Sequence, residues 1–145
     1  MDKLLAIFKG ELSSGLYRLT TEVNIDELSS LCKEYGFQFF YINGNDVTTK
    51  AEFFQASAQT MNFPDYFGDN WDGFSDCIDD LSWLSADGYI LLYTQPDNFA
   101  RSDPSEWSIA LDIFQEAVES WRETDTPMYV LLRTDSLDLD TLEVL

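Results

Sequence analysis

Residues 63–81 read Phe63-Pro64-Asp65-Tyr66-Phe67-Gly68-Asp69-Asn70-Trp71-Asp72-Gly73-Phe74-Ser75-Asp76-Cys77-Ile78-Asp79-Asp80-Leu81, and their spacing decides how the chain is organised. Pro64 fixes one backbone angle, Gly68 admits a positive φ, and Asp69 can accept hydrogen bonds from the free N–H groups that open a helix. A tight turn feeding a helix is therefore expected. In that helix Trp71, Phe74, Ile78 and Leu81 recur at steps of three and four, which is the spacing of one buried stripe. Asp72, Asp76 and Asp79 fall opposite, with Asp69 and Asp80 close by. Like charges at i,i+4 destabilise an isolated helix by roughly 0.2–0.5 kcal/mol per pair. An ordinary solvated face mixes signs, yet no basic residue occurs between Lys50 and Arg101. Acids in the first turn suit the positive end of the helix dipole, but Asp76, Asp79 and Asp80 lie progressively nearer its negative end. The excess points to binding.

Two neighbours sharpen this reading. Gly73 costs a helix about 0.8–1.0 kcal/mol relative to alanine. Either its early position tolerates that, or a partner approaches the bare backbone beside Asp72 and Asp76. Tyr66 reads as a core aromatic or an exposed anchor, and its place beside the stripe favours the anchor.

Upstream, residues 4–8 and 16–19 look like short strands around a Ser13-Ser14-Gly15 turn, giving a hairpin. Asn24 or a neighbour caps a helix that runs through Tyr35, carrying Ile25, Leu28, Leu31 and Cys32, with a stop at Gly36. The apolar run at residues 37–42 suits a strand buried on both faces. Thr49 and Glu52 have capping-box spacing, ahead of a helix with Phe53, Phe54, Ala58 and Met61 on its apolar side. Downstream, residues 89–93 and 128–132 are further strands, and residues 97–102 read as irregular. Between them Ser102 or Asp103 caps a helix with Pro104 in its first turn and Trp107, Leu111, Phe114, Val118 and Trp121 buried. Hydrophobic strands separated by helices predict an α/β fold: a small parallel sheet of three core strands packed with helices, carrying an N-terminal β/α extension. We read residues 1–145 as one domain, with the extension at 1–36, the core at 37–133 and an acidic tail at 134–145.

The formal net charge is −19, with 27 acidic residues against 8 basic, which disfavours nucleic acid or an anionic membrane and favours a basic protein partner. Cys32 and Cys77 have no metal-ligand spacing and there is no histidine, so both are expected to be reduced and at least partly buried. No apolar run is long enough to span a membrane, and residues 4–8 are too short for a signal-peptide core, so a cytoplasmic protein is expected. Catalytic signatures are missing: no histidine base, no phosphate loop, no dinucleotide fingerprint. Asp72 and Asp76 could hold a cation or act as an acid–base pair, but the surrounding residues do not match a calcium loop. We expect no enzyme, no cofactor and no metal.

The run Pro64-x-Tyr66-Phe67-Gly68-Asp69-Asn70-Trp71-Asp72, followed by Asp76-Cys77, resembles the barstar family, small intracellular inhibitors of ribonucleases. The likeness extends over residues 37–133, including Ile42-Asn43-Gly44. It implies inhibition by plugging a basic ribonuclease active site, with aspartates at phosphate positions. Carried over, Asp76 is the main phosphate mimic, Asp72 a second charged contact, Tyr66 an aromatic anchor and Glu116 an outlying acid. Phe67, Asn70, Gly73, Ser75 and Asp79 complete the implied partner-binding set. Ser75 stands where the family commonly has tryptophan, and Gly73 where a small non-glycine residue is usual, so the central surface is less bulky. The alternative is an acidic adaptor on the same scaffold with a basic partner that is not a nuclease.

Overall fold

The computed structural model describes residues 2–136, 139 and 142–145. Six helices, α1 (Asp2–Phe8), α2 (Ile25–Tyr35), α3 (Lys50–Met61), α4 (Trp71–Asp80), α5 (Asp97–Ser102) and α6 (Pro104–Arg122), surround five strands among the described residues. The strands are β1 (Gly15–Leu19), β2 (Phe37–Asn43), β3 (Gly88–Thr94), β4 (Met128–Arg133) and β5 (Glu143–Val144), with 3-10 turns at Gly44–Asp46 and Asp65–Phe67. All strand pairs are parallel, in the order β2-β3-β4-β1-β5. The class is the expected α/β. The three expected core strands, β2, β3 and β4, are neighbours, and β1 and β5 add to the β4 side.

Alternation along the strands makes two apolar layers. Phe40, Ile42, Leu91, Tyr93, Val130 and Leu132 point to α3, α4, α5 and α6; Ile90, Leu92, Tyr129 and Leu131 point to Leu4 and Ile7 of α1 and Leu28 and Cys32 of α2. Cys32 and Cys77 are free and buried. Phe53 centres the first layer, with ring contacts to Phe54, Trp71, Phe74, Tyr93, Phe99 and Phe114.

Four local expectations are corrected. Residues 4–8 lie in helix α1, because Leu4 and Ile7, one turn apart, share a buried face; the hairpin is therefore absent, and β1 instead pairs in parallel with β4, Leu16 opposite Val130. Strand β2 is an edge strand with only Phe40 and Ile42 fully buried. Residues 97–102 form α5, seated by Phe99 and Ala100 and by Asn98 Nδ2 donating to the Gly44 carbonyl at 3.0 Å. In α6, Leu111 and Trp121 are half-buried while Ala110, Ile113 and Ala117 join the core. The helix starts are close to expectation: Asn24 caps α2, Thr49 caps α3 and Asp103 caps α6. At α3 the Glu52 carboxylate turns to Thr48, one residue before the cap, at 2.9 Å.

The N-terminal segment is tied into this frame. Buried Ser14 Oγ accepts from Met128 N at 3.0 Å, Arg122 donates to the Ser14 carbonyl through Nε at 3.1 Å and Nη2 at 2.9 Å, and Tyr129 Oη donates to the Leu12 carbonyl at 2.6 Å. The described end of the tail returns as β5, beside β1; residues 137, 138, 140 and 141 of the expected acidic tail lie outside the described residues.

Candidate functional site

The turn before α4 is built around two left-handed residues, Gly68 at φ 69° and Asp69 at φ 51°. Aspartate tolerates that region better than most residues. The reversal leaves Asn70, not Asp69, as the cap: Asn70 Oδ1 accepts from Gly73 N at 2.7 Å while its Nδ2 donates to the Gly68 carbonyl at 3.1 Å. Phe74, Ile78 and Leu81 are buried as expected. Trp71 is half-buried, its Nε1 donating to Glu106 Oε2 on α6 at 2.7 Å. At the other end Trp121 Nε1 donates to the Ile78 carbonyl at 2.9 Å, so α6 is fastened to both ends of α4.

That fastening fixes the direction of the acidic side chains. Asp72, Asp76 and Asp79 are exposed along α4, and partial desolvation of the Asp79 carboxyl, with exposed Glu116 of α6 beside it, raises that group above its ordinary value. Burial is the largest cause of that shift, followed by the Glu116 and Asp76 charges. Among the described residues the ion pairs are Lys50–Glu106, Arg101–Asp97, Arg133–Glu22 and Arg133–Asp135; none reaches Asp72, Asp76, Asp79 or Glu116. Ser75, half-buried, leaves a low spot within the stripe. Among the described residues no group of three or more Cys, Asp and Glu is placed to hold a metal ion.

Two residues of the sequence-derived set face inward. Phe67 is buried, edge-on to Phe54 at 5.3 Å and to Phe63 at 5.0 Å. Gly73 is buried too, and a Cβ there would overlap the Phe67 carbonyl oxygen. The bare backbone accommodates the chain's own turn, so the glycine is accounted for without a partner. Tyr66, in contrast, is 55% exposed, and its Oη donates to Asp80 Oδ2 at 2.9 Å. Asp80 as a partner of Tyr66, and Glu106 as a partner of Trp71, were not foreseen; no local spacing signals bonds between residues 14 and 35 positions apart.

No helix among the described residues is long and apolar enough to cross a membrane. No curated protein matches the chain significantly. The family model described as Barstar (barnase inhibitor) matches residues 37–133, which runs from the first residue of β2 to the last of β4 and contains the whole α4 face. With that match over about two thirds of its length, the chain belongs to the barstar family, the barnase inhibitors.

Proposed function

We propose that this protein inhibits a basic ribonuclease in the cytoplasm by inserting α4 and its preceding turn into the nuclease active site, without chemistry of its own. The observation that carries the reading is the outward row Asp72, Asp76 and Asp79, extended by Glu116, with no cation of its own chain paired to it among the described residues. Carboxylates left free in this way can accept charge-assisted hydrogen bonds from the Arg and Lys side chains that hold phosphates, and the net charge of −19 speeds encounter with a basic partner. In this reading Asp76 mimics a phosphate, Asp72 supplies a second charged contact, Tyr66 packs as the aromatic anchor, and Asp79, Ser75 and Asn70 line the contact.

The test is inhibition of barnase by the wild type and by Asp76→Ala. The Asp76 side chain makes no hydrogen bond or ion pair among the described residues, so the variant should fold normally. Its affinity is expected to fall by roughly 30-fold or more, the general scale of an interface hot spot, of which the barnase–barstar pair is itself an example. Equal affinity of the two proteins would remove the mechanism. A second reading, an adaptor for a basic protein other than a nuclease, is favoured by Ser75, whose small side chain leaves the middle of the stripe without bulk. Capture from the source cell at low and moderate salt separates the two, since only the inhibitor reading requires a nuclease in the eluate.

A further inference from the structure

We infer that Asp80, with Trp83, is a positioning residue that holds the exposed Tyr66 ring in one orientation before any partner arrives. The inference rests on the proposed inhibitor reading for what Tyr66 touches, but the clamp itself requires no partner. Tyr66 is the most exposed large hydrophobic side chain among the described residues, at 55%. A surface tyrosine with that exposure would ordinarily exchange rotamers, and a partner would then have to freeze it on binding. Here the side chain is held at its hydroxyl and at its ring, and the hydroxyl also lies beside the Cys77 thiol. Its hydroxyl donates to Asp80 Oδ2 at 2.9 Å, and its edge meets the Trp83 ring at 6.2 Å and 82°.

The second point is itself fixed. Trp83 Nε1 donates to the Met61 carbonyl at the end of α3 at 2.9 Å, and the indole lies edge-to-face with Phe63 at 6.4 Å and 88°. Phe63 in turn packs on buried Phe67 and Phe74, at 5.0 and 5.9 Å. The end of α3, the end of α4 and the loop after α4 therefore converge on one exposed ring. Desolvation of the phenol oxygen, and then the Asp80 bond, push the Tyr66 hydroxyl up to about 12, so it remains a donor throughout the physiological range.

Asp80 is also the last residue of α4, where a negative charge opposes the helix dipole. Helix formation does not explain its presence; the Tyr66 bond does. It differs in this from Asp72, Asp76 and Asp79, whose carboxylates accept no hydrogen bond from the described residues. Asp80 thus acts through Tyr66 and is not another phosphate mimic.

Side-chain order decides the matter without a partner. Tyrosine ring order is measured by NMR on protein labelled at its tyrosine rings, with Tyr66 assigned by comparison with Tyr66→Phe, in wild type, Asp80→Ala and Asp80→Asn. Asp80→Ala should free the ring, and Asp80→Asn should keep it ordered because the amide oxygen still accepts from the hydroxyl. An equally ordered ring in Asp80→Ala overturns the inference. With barnase as the probe, Asp80→Ala and Tyr66→Phe should each weaken binding by about 2–10-fold through faster dissociation, the double variant no more than either single one, and Asp80→Asn little. Asp80→Asn as weak as Asp80→Ala would make Asp80 a direct charged contact and overturn its positioning role. Failure of the wild type to bind barnase would refute the proposed target, while the ring measurement would still decide the clamp.

Discussion

Replacing Gly73 with alanine sets two known effects against each other at one residue. Alanine in a helix gains about 0.8–1.0 kcal/mol over glycine, and a helix surface would show that gain directly. At residue 73 the added methyl overlaps the Phe67 carbonyl oxygen, which is main chain and cannot rotate away as a flexible side chain could. Overpacking of this kind costs typically about 1–3 kcal/mol. Relief requires the Asp65–Phe67 turn to move off α4, against the packing of Phe67 on Phe54 and Phe63. The net expectation is a loss of about 1–2 kcal/mol, read by urea unfolding, and a fall in Tm of about 2–8 °C. Ser75→Ala, half-buried on the same helix, is the control and should change stability by only a few tenths of a kcal/mol. A Gly73→Ala variant more stable than the wild type by the full propensity gain would refute the close-approach argument.

Three other perturbations test the frame around the site. The Asp79 carboxyl is raised in the folded protein, by burial first and then by the Glu116 and Asp76 charges, so its ionised form is penalised above the folded pKa and the penalty disappears below the unfolded value near about 3.9; Asp79→Asn should therefore raise Tm at pH 7 and lose that advantage near pH 3, whereas an equal difference at both would refute the raised carboxyl. Burial would raise the Asp97 carboxyl, but the hydroxyls of Ser136 and Thr134, its own backbone N–H and the Arg101 charge together hold it below its usual range. That stability is present above the unfolded value and lost as pH falls through the folded one, so Asp97→Ala should cost about 1–3 kcal/mol at neutral pH and less in acid, by thermal melts at both. Ser14→Ala removes the acceptor of the buried Met128 N–H and should cost about 1–3 kcal/mol in urea unfolding, although it lies outside the matched residues 37–133.

The reading from sequence succeeded where one helix face could be counted and failed where the partner was distant. Residues 71–81 carry their burial in steps of three and four, and Phe74, Ile78 and Leu81 are buried accordingly. The five-residue apolar run at 4–8 is too short to separate a strand from a buried helix, and only its tertiary setting, with Leu4 and Ile7 buried on one face one turn apart, resolves it. The place of β1 was illegible for a stronger reason: its partner β4 lies more than a hundred residues away, and no local pattern reports such a pairing. Helix α5 was missed because its surface is polar, although Phe99 and Ala100 inside that polar segment were a usable sign of an anchored face. Within the candidate site, the outward placement of Asp76 follows from helical spacing, but the inward turn of Phe67 and Gly73 depends on how the turn folds back on α4.

The exposed row of acids and the aromatic layer beneath it belong to one arrangement. Like charges along α4 work against its helix, and those near its end also oppose the dipole; α4 is nevertheless held, because Phe74 packs against Phe53, Phe54 and Phe114 and because Trp71 and Trp121 bind its two ends to α6. Stability supplied from below leaves Asp76 and Asp79, beyond the first turn, without a structural duty. The proposed function then divides between two kinds of group. Asp72, Asp76 and Glu116 act largely through charge, so their loss should slow association and flatten its salt dependence, whereas Tyr66 acts through a fixed ring, so its loss should quicken dissociation. With Ser75 small at the middle of the stripe, the proposed function puts its anchoring contact at the turn, on Tyr66 and the residues that hold it.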